Sequence, residues 1–167
     1  IHLAKKLKII GRAGIGIDNV DVEAATSKGI IVMNTPHGNS ITTAEHTIAM
    51  IMSLARRIPD ANLSTKQGKW EKSKFTGTEI FGKCLGLIGC GNIGSIVADR
   101  AIGLKMKVCV YDPFLTSDKS NELGVEKVSL EKLLKISDII SLHTPMTETT
   151  KYIINNIDIT LLTKHFN

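Results

Sequence analysis

The stretch "CLGLIGCGNIGSIV", residues 84–97, constrains the fold of this chain more than any other. Gly89, Gly91 and Gly94 satisfy G-x-G-x-x-G, a short pattern that chance supplies often. Alone, it separates a nucleotide-binding turn from an ordinary tight turn only weakly. The flanking residues decide, because phosphate binding needs a strand before the glycines and a helix after them. "CLGLIG" is a continuous apolar run of strand length, and Ile93, Ile96, Val97, Ala101 and Leu104 recur behind it at helical spacing.

Each glycine has a separate task in such a turn. Gly89 permits the bend, Gly91 leaves backbone N–H groups open to a pyrophosphate, and Gly94 lets the helix pack closely on the strand. The helix start adds roughly half a positive charge and unpaired N–H donors, which suits a bridging diphosphate. Asp112 ends the next apolar run, "KVCVYD", 23 positions after Gly89. A carboxylate there accepts hydrogen bonds from the two hydroxyls of an adenosine ribose. It also repels a 2′-phosphate, by roughly 1–4 kcal/mol per contacting charge pair in wet surroundings. NAD is therefore expected rather than NADP; the competing reading is a plain turn with Asp112 as a surface residue. "HTP", His143 to Pro145, ends a later apolar run and so falls on the carboxyl edge of a sheet, where open α/β folds bind ligands. His143 shows no partner in the sequence and reads as structural, or as a wall of the cofactor pocket, rather than as a base.

The rest of the chain repeats the same alternation. "LKIIGRAGIGIDNV" opens apolar and turns glycine-rich, a strand running into a close-packed loop. Asp21 caps a short helix, Gly29 suits its end, and residues 30–34, "IIVMN", read as a buried strand stopped by Pro36. Thr42 and Glu45 form a capping-box pattern for a helix to about Arg57, with Ala44, Ile48, Ile51, Met52 and Ala55 on one face. Residues 60–82 are mixed and Lys-rich, a short helix and surface loop with Trp70 as the large anchor. Ser129 is a good N-cap for "LEKLLKI". Together these elements predict an α/β chain: a doubly wound parallel sheet of Rossmann type, incomplete, beside the end of a smaller α/β domain.

Composition narrows the partners. The net charge is +5, but the basic residues are scattered and no stripe of them interleaves with aromatics, so no nucleic acid is expected. No apolar run approaches the roughly 20 residues that span a bilayer, so no membrane is expected either. Cys84, Cys90 and Cys109 are odd in number and form no C-x-x-C pair. They read as small buried residues, not disulfides or metal ligands, which points to a reducing, cytoplasmic setting.

"GRAGIGIDNVDVEAAT", "VMNTPHGNSITTAEHTIAMIMSLAR", "GKWEKSKFTGTEIFGKCLGLIGCGNIG" and "DIISLHTP" together resemble the D-isomer-specific 2-hydroxyacid dehydrogenases, in the family's order and over residues 7–154. The resemblance implies an oxidoreductase using NAD on a small-molecule 2-hydroxy acid, homo-oligomeric when full length, with its active site between two domains. It implies residues 1–39 as the end of the substrate domain, 40–81 as the interdomain connector and 82–167 as the first half of the NAD domain. Arg12, Ala13 and Gly14 match the family's substrate-anion motif, an arginine fork being suited to phosphate or carboxylate; the alternative is an ordinary surface cation. Asn92 and Ile93 inherit backbone contact with the pyrophosphate, and Thr144 a contact beside the nicotinamide half. Ile15 stands where the family often has a cofactor-touching threonine, so only packing or backbone contact is expected of it. Asn92 departs from a frequent arginine.

The family's catalytic arginine, glutamate and histidine have no match in "YIINNIDITLLTKHFN", so no catalytic residue is assigned in this chain and no turnover is expected of it alone. With no initiator Met, the chain reads as a fragment lacking both ends, with an open apolar sheet edge. "NTPHGNS" and "GKWEKSKF" favour the branch that acts on a phosphorylated substrate. The alternatives are another 2-hydroxy acid, such as glyoxylate or hydroxypyruvate, and an NAD-sensing protein without catalysis.

Overall fold

A computed structural model describes residues 1–155. The chain divides into two compact units, Ile1–Thr42 and a larger one from Thr43 onward.

In the smaller unit, strands β1 (Ile9–Arg12) and β2 (Ile31–Asn34) pair in parallel, Ile9 opposite Ile31 and Arg12 opposite Asn34. Helix α1 (Val22–Ser27) joins them, and the Asp21 carboxylate caps it by accepting the Ala24 N–H at 2.8 Å. Gly29, at φ +67, takes the left-handed turn beyond the helix end. This is the strand–helix–strand unit expected. The strand at 30–34 departs from expectation in burial: Ile30 is buried, but Ile31 and Met33 are 59% and 56% exposed. The register puts both on one sheet face with Ile9, and the single short helix of this unit cannot cover two faces.

Helix α2 (Ser40–Ala55) begins two residues before the expected Thr42, so Thr42 and Glu45 lie within it. Asn39 and Ser40 are themselves residues that favour a helix start. Its expected apolar face is present: Ala44 and Ile51 are buried, with Ile48, Met52 and Ala55 packed against the same cluster. Helix α3 (Ile58–Lys66) carries Pro59 in its first turn, where the missing N–H costs nothing. Trp70 does not anchor the following loop; it is 83% exposed. The short 3₁₀ turn Lys72–Phe75 is held instead by Glu71, which bonds Ser64 and Lys74.

The main sheet contains β3 (Cys84–Ile88), β4 (Lys107–Tyr111), β5 (Glu126–Lys127) and β6 (Ile139–Leu142), all parallel in the order β5-β4-β3-β6. Helices α4 (Asn92–Gly103), α5 (Ser117–Leu123) and α6 (Leu130–Ile136) connect them. One face packs Leu85, Leu87, Val108 and Val110 against Val97, Ala98 and Ala101 of α4. The other packs Ile88 and Cys109 against Leu133 of α6. Helices on both faces explain why these strands are apolar without alternation. Helix α5 and strand β5 lie in a stretch with no clear apolar rhythm, yet Thr116 caps α5 and Gly124 ends it at φ +69. Among the described residues, no helix is long and apolar enough to cross a membrane.

Candidate dinucleotide-binding site

The glycine turn joins β3 to α4 at the carboxyl edge of the main sheet. Gly89 sits at φ +92, and its N–H donates to the Tyr111 carbonyl at 2.9 Å. A Cβ on Gly89 would lie 2.7 Å from the His143 carbonyl oxygen, so this turn and the end of β6 tolerate no side chain between them. A Cβ on Gly94 would lie 2.4 Å from the Gly89 carbonyl oxygen, which is the close helix-on-strand approach that only glycine permits. Gly91 is the opposite case. It forms the N-cap of α4, supplies no capping side chain, and a Cβ there would meet no protein atom within 4 Å. The first turn of α4, with Asn92 and Ile93, thus opens onto unfilled space with the positive end of the helix dipole behind it.

Asp112 follows β4 directly and turns back to this loop. One carboxylate oxygen accepts the Cys90 N–H at 2.7 Å and the other accepts the Phe114 N–H at 2.8 Å. These bonds hold the side chain beside the glycine turn, while each oxygen keeps a second lone pair for a further donor. Burial pushes the Cys90 thiol up, and the neighbouring Asp112 charge adds to it, so Cys90 is a neutral thiol beneath the loop.

His143 closes the other side. Its N–H donates to the Ile88 carbonyl at 2.8 Å, and its Nε2 meets the Ser141 hydroxyl at 3.0 Å. The ring therefore lies back along β6, and burial lowers its pKa. Ser141 is the partner that sequence reasoning missed; residues two apart on a strand share a face, and that spacing was the available signal. Thr144 is half-buried with its methyl against the Gly89 turn, and Pro145 is exposed. Among the named positions, the structure brings Gly89, Gly91, Asn92, Ile93, Gly94, Asp112, His143 and Thr144 to one loop cluster. An open glycine turn at a helix start, with a carboxylate clamped beside it, fits a diphosphate attached to a ribose diol.

Arg12, Ala13, Gly14 and Ile15 belong to the smaller unit. Arg12 ends β1, and its Nη1 occupies the space that a Cβ on Gly14 would fill, at 1.9 Å. The loop is pinned by Asn34, whose side-chain amide donates to the Ile15 carbonyl at 2.9 Å, and by Thr35, whose N–H donates to the Gly14 carbonyl at 3.1 Å. No carboxylate among the described residues pairs with the Arg12 guanidinium, which leaves its fork available to an anion. His165, the histidine in the stretch "YIINNIDITLLTKHFN" to which no role is assigned, lies outside the described residues.

Residues 48–166 match the family described as D-isomer specific 2-hydroxyacid dehydrogenase, NAD binding domain. The chain is similar to the D-3-phosphoglycerate dehydrogenase of Bacillus subtilis, 50% identical over 149 residues, which are 89% of this chain and 28% of that protein. It is also similar to the D-3-phosphoglycerate dehydrogenase of Archaeoglobus fulgidus, 51% identical over 150 residues, 90% of this chain and 28% of that protein. Among solved structures, the D-lactate dehydrogenase of Aquifex aeolicus complexed with NAD and lactic acid superposes with a TM-score of 0.84 at 37% identity, covering 95% of this chain and 47% of that one. The chain thus spans less than a third of the length of the curated relatives it matches.

Proposed function

The chain belongs to the D-isomer specific 2-hydroxyacid dehydrogenase family, and from that premise we propose that it is part of an NAD-dependent D-3-phosphoglycerate dehydrogenase. The reaction is oxidation of D-3-phosphoglycerate to 3-phosphohydroxypyruvate, on the route to serine. The observation that carries the substrate assignment is identity of about half the residues to proteins of that name across nearly all of this chain.

In this assignment NAD supplies the hydride acceptor. The α4 start at Gly91, Asn92 and Ile93 receives the diphosphate, and Asp112 accepts the ribose hydroxyls through its spare lone pairs. The backbone of His143 to Pro145 walls the pocket, with Ile15 limited to packing or backbone contact. Arg12 presents its fork to a substrate anion, with the Ala13 and Gly14 amides beside it. No described residue is assigned the transfer of the hydroxyl proton. The division proposed is residues 1–39 for the end of a substrate domain, 40–81 for a connector and 82 onward for the NAD domain. Self-association belongs to the same proposal and is supported by exposed apolar residues, Leu54 at 73% and Trp70 at 83%. A cytoplasmic setting suits the three free cysteines.

The test compares turnover by the protein as its gene encodes it, with D-3-phosphoglycerate, hydroxypyruvate and glyoxylate as substrates. Preference for the phosphorylated acid is expected; equal or better turnover of the others removes the substrate assignment and leaves the family. Asp112→Ala should weaken NADH binding by about 1.5–3 kcal/mol, the loss of a charged acceptor, and narrow the preference over NADPH. Titration calorimetry with both nucleotides checks this.

A further inference from the structure

Away from the glycine turn, at the amino-terminal end of the main sheet, two thiols face each other. Cys84 begins β3 and Cys109 lies within β4, with their sulfurs 3.7 Å apart. The register explains the approach. Cys84 stands opposite Lys107 and Cys109 opposite Gly86, so the two cysteines share a face diagonally across neighbouring strands. Gly86 has no side chain to stand between the sulfurs. On that same face Ser137 and Leu133 fill the space above Gly86, where a Cβ would meet them at 2.2 and 2.7 Å. The Ser137 hydroxyl, itself bonded to the Leu133 carbonyl, lies 3.5 Å from the Cys109 sulfur and walls that side of the pair.

The pair is reachable. Both cysteines, with Lys107, Glu126 and Asp138, line an open groove of about 340 Å³. Cys84 is half-buried at its edge while Cys109 is 1% exposed behind it. Cys90, the third cysteine, is at the opposite end of β3 and has no thiol neighbour among the described residues.

We propose that Cys84 and Cys109 are an oxidisable pair, which a hydroperoxide converts to a disulfide joining β3 to β4. The Cys84 sulfur, as thiolate, attacks the O–O bond of hydrogen peroxide, forms a sulfenic acid and releases one oxygen as water. The Cys109 sulfur then displaces the second oxygen, also as water, and loses its proton. Two thiols and one peroxide thus yield one disulfide and two waters. The sulfurs must close from 3.7 Å to a bond of roughly 2.05 Å, by rotation about the two Cα–Cβ bonds with adjustment of the strand ends. Burial first, and Cys109 second, push the Cys84 thiol up to about 12. The attacking form is therefore scarce at neutral pH, and the rate should rise about tenfold per pH unit below that value.

The test treats the whole chain with hydrogen peroxide at pH 7 and pH 9, blocks remaining thiols and maps peptides without reduction. The expected product joins the peptides of Cys84 and Cys109, is lighter by two hydrogens, accumulates faster at pH 9 and disappears with a dithiol reductant. Cys90→Ser should leave it unchanged, while Cys84→Ser and Cys109→Ser abolish it. A disulfide that includes Cys90, a linkage between chains, sulfinic acid on Cys84 beside an alkylated Cys109, or three unreacted thiols would each overturn the proposal. Because the wild-type map is decisive, misfolding of a variant does not obscure the outcome.

Discussion

At the residue scale, three glycines in one motif are bound by different physics, and substitution separates them. A Cβ on Gly91 meets no protein atom within 4 Å, so Gly91→Ala should cost no more than about 1 kcal/mol of thermal stability, the loss that goes with alanine at an N-cap position. It should nevertheless weaken NADH binding, because in the proposed site the methyl intrudes on the space assigned to the diphosphate. Gly94→Ala drives a methyl to 2.4 Å from the Gly89 carbonyl oxygen, and should destabilise by about 1–3 kcal/mol through overpacking. Urea unfolding and NADH fluorescence on both variants check the contrast; equal loss of stability in the two would contradict it. His143 supplies a pH dependence. Burial lowers its pKa in the folded state, so the unfolded chain binds the proton more readily. This contribution is fully present above the unfolded value near 6.5 and is lost as pH falls through the folded value. The unfolding midpoint should therefore drop on acidification below about pH 6.5, and His143→Gln should flatten that part of the curve. The glycine spacing and Asp112 were legible as residue types; the bonds from Cys90 and Phe114 to that carboxylate were not, because they depend on a loop turning back.

At the element scale, caps were the most readable signals. Asp21 and Ser129 both accept the expected first-turn N–H, Ser129 from Lys132 at 3.2 Å. Ser129→Ala should cost about 1 kcal/mol, felt by the whole sheet because α6 buries Leu133 and Leu134. Urea titration of the variant measures it. The capping box at Thr42 misled for a clear reason: the pattern is local, while the helix gains an extra half-turn before it. Helix α5 escaped notice because "SDKSNEL" has one large apolar residue and so no stripe. Its caps, Thr116 and Gly124, were the only signals available. Trp70 was expected to anchor a loop on size alone; it stands in solvent while a Glu71 bond network holds the turn.

At the scale of the molecule, the two units differ in what holds them. The smaller has a two-stranded sheet, a six-residue helix and Ala25 and Ile30 as its buried apolar residues among positions 1–42. A sheet of two strands is marginal in water. Hydrogen exchange should therefore run fastest at the amides of β1 and β2 and slowest in β3 and β4, which carry Leu85, Leu87 and Val110 at 0% exposure. Equal protection in both sheets would refute this ranking. By itself, the sequence determined the order of strands and helices apart from α5 and β5, the parallel sheet covered by helices and the glycine turn between strand and helix. These follow from periodicity, capping and backbone freedom, which act over a few residues. Only the tertiary structure decided that Asp112 grips the glycine turn, that Ser141 holds His143, that Ile31 and Met33 face outward and that Cys84 meets Cys109. Each of those depends on strand register or on which face a layer covers, and contacts between residues distant in the chain are set by packing rather than by spacing.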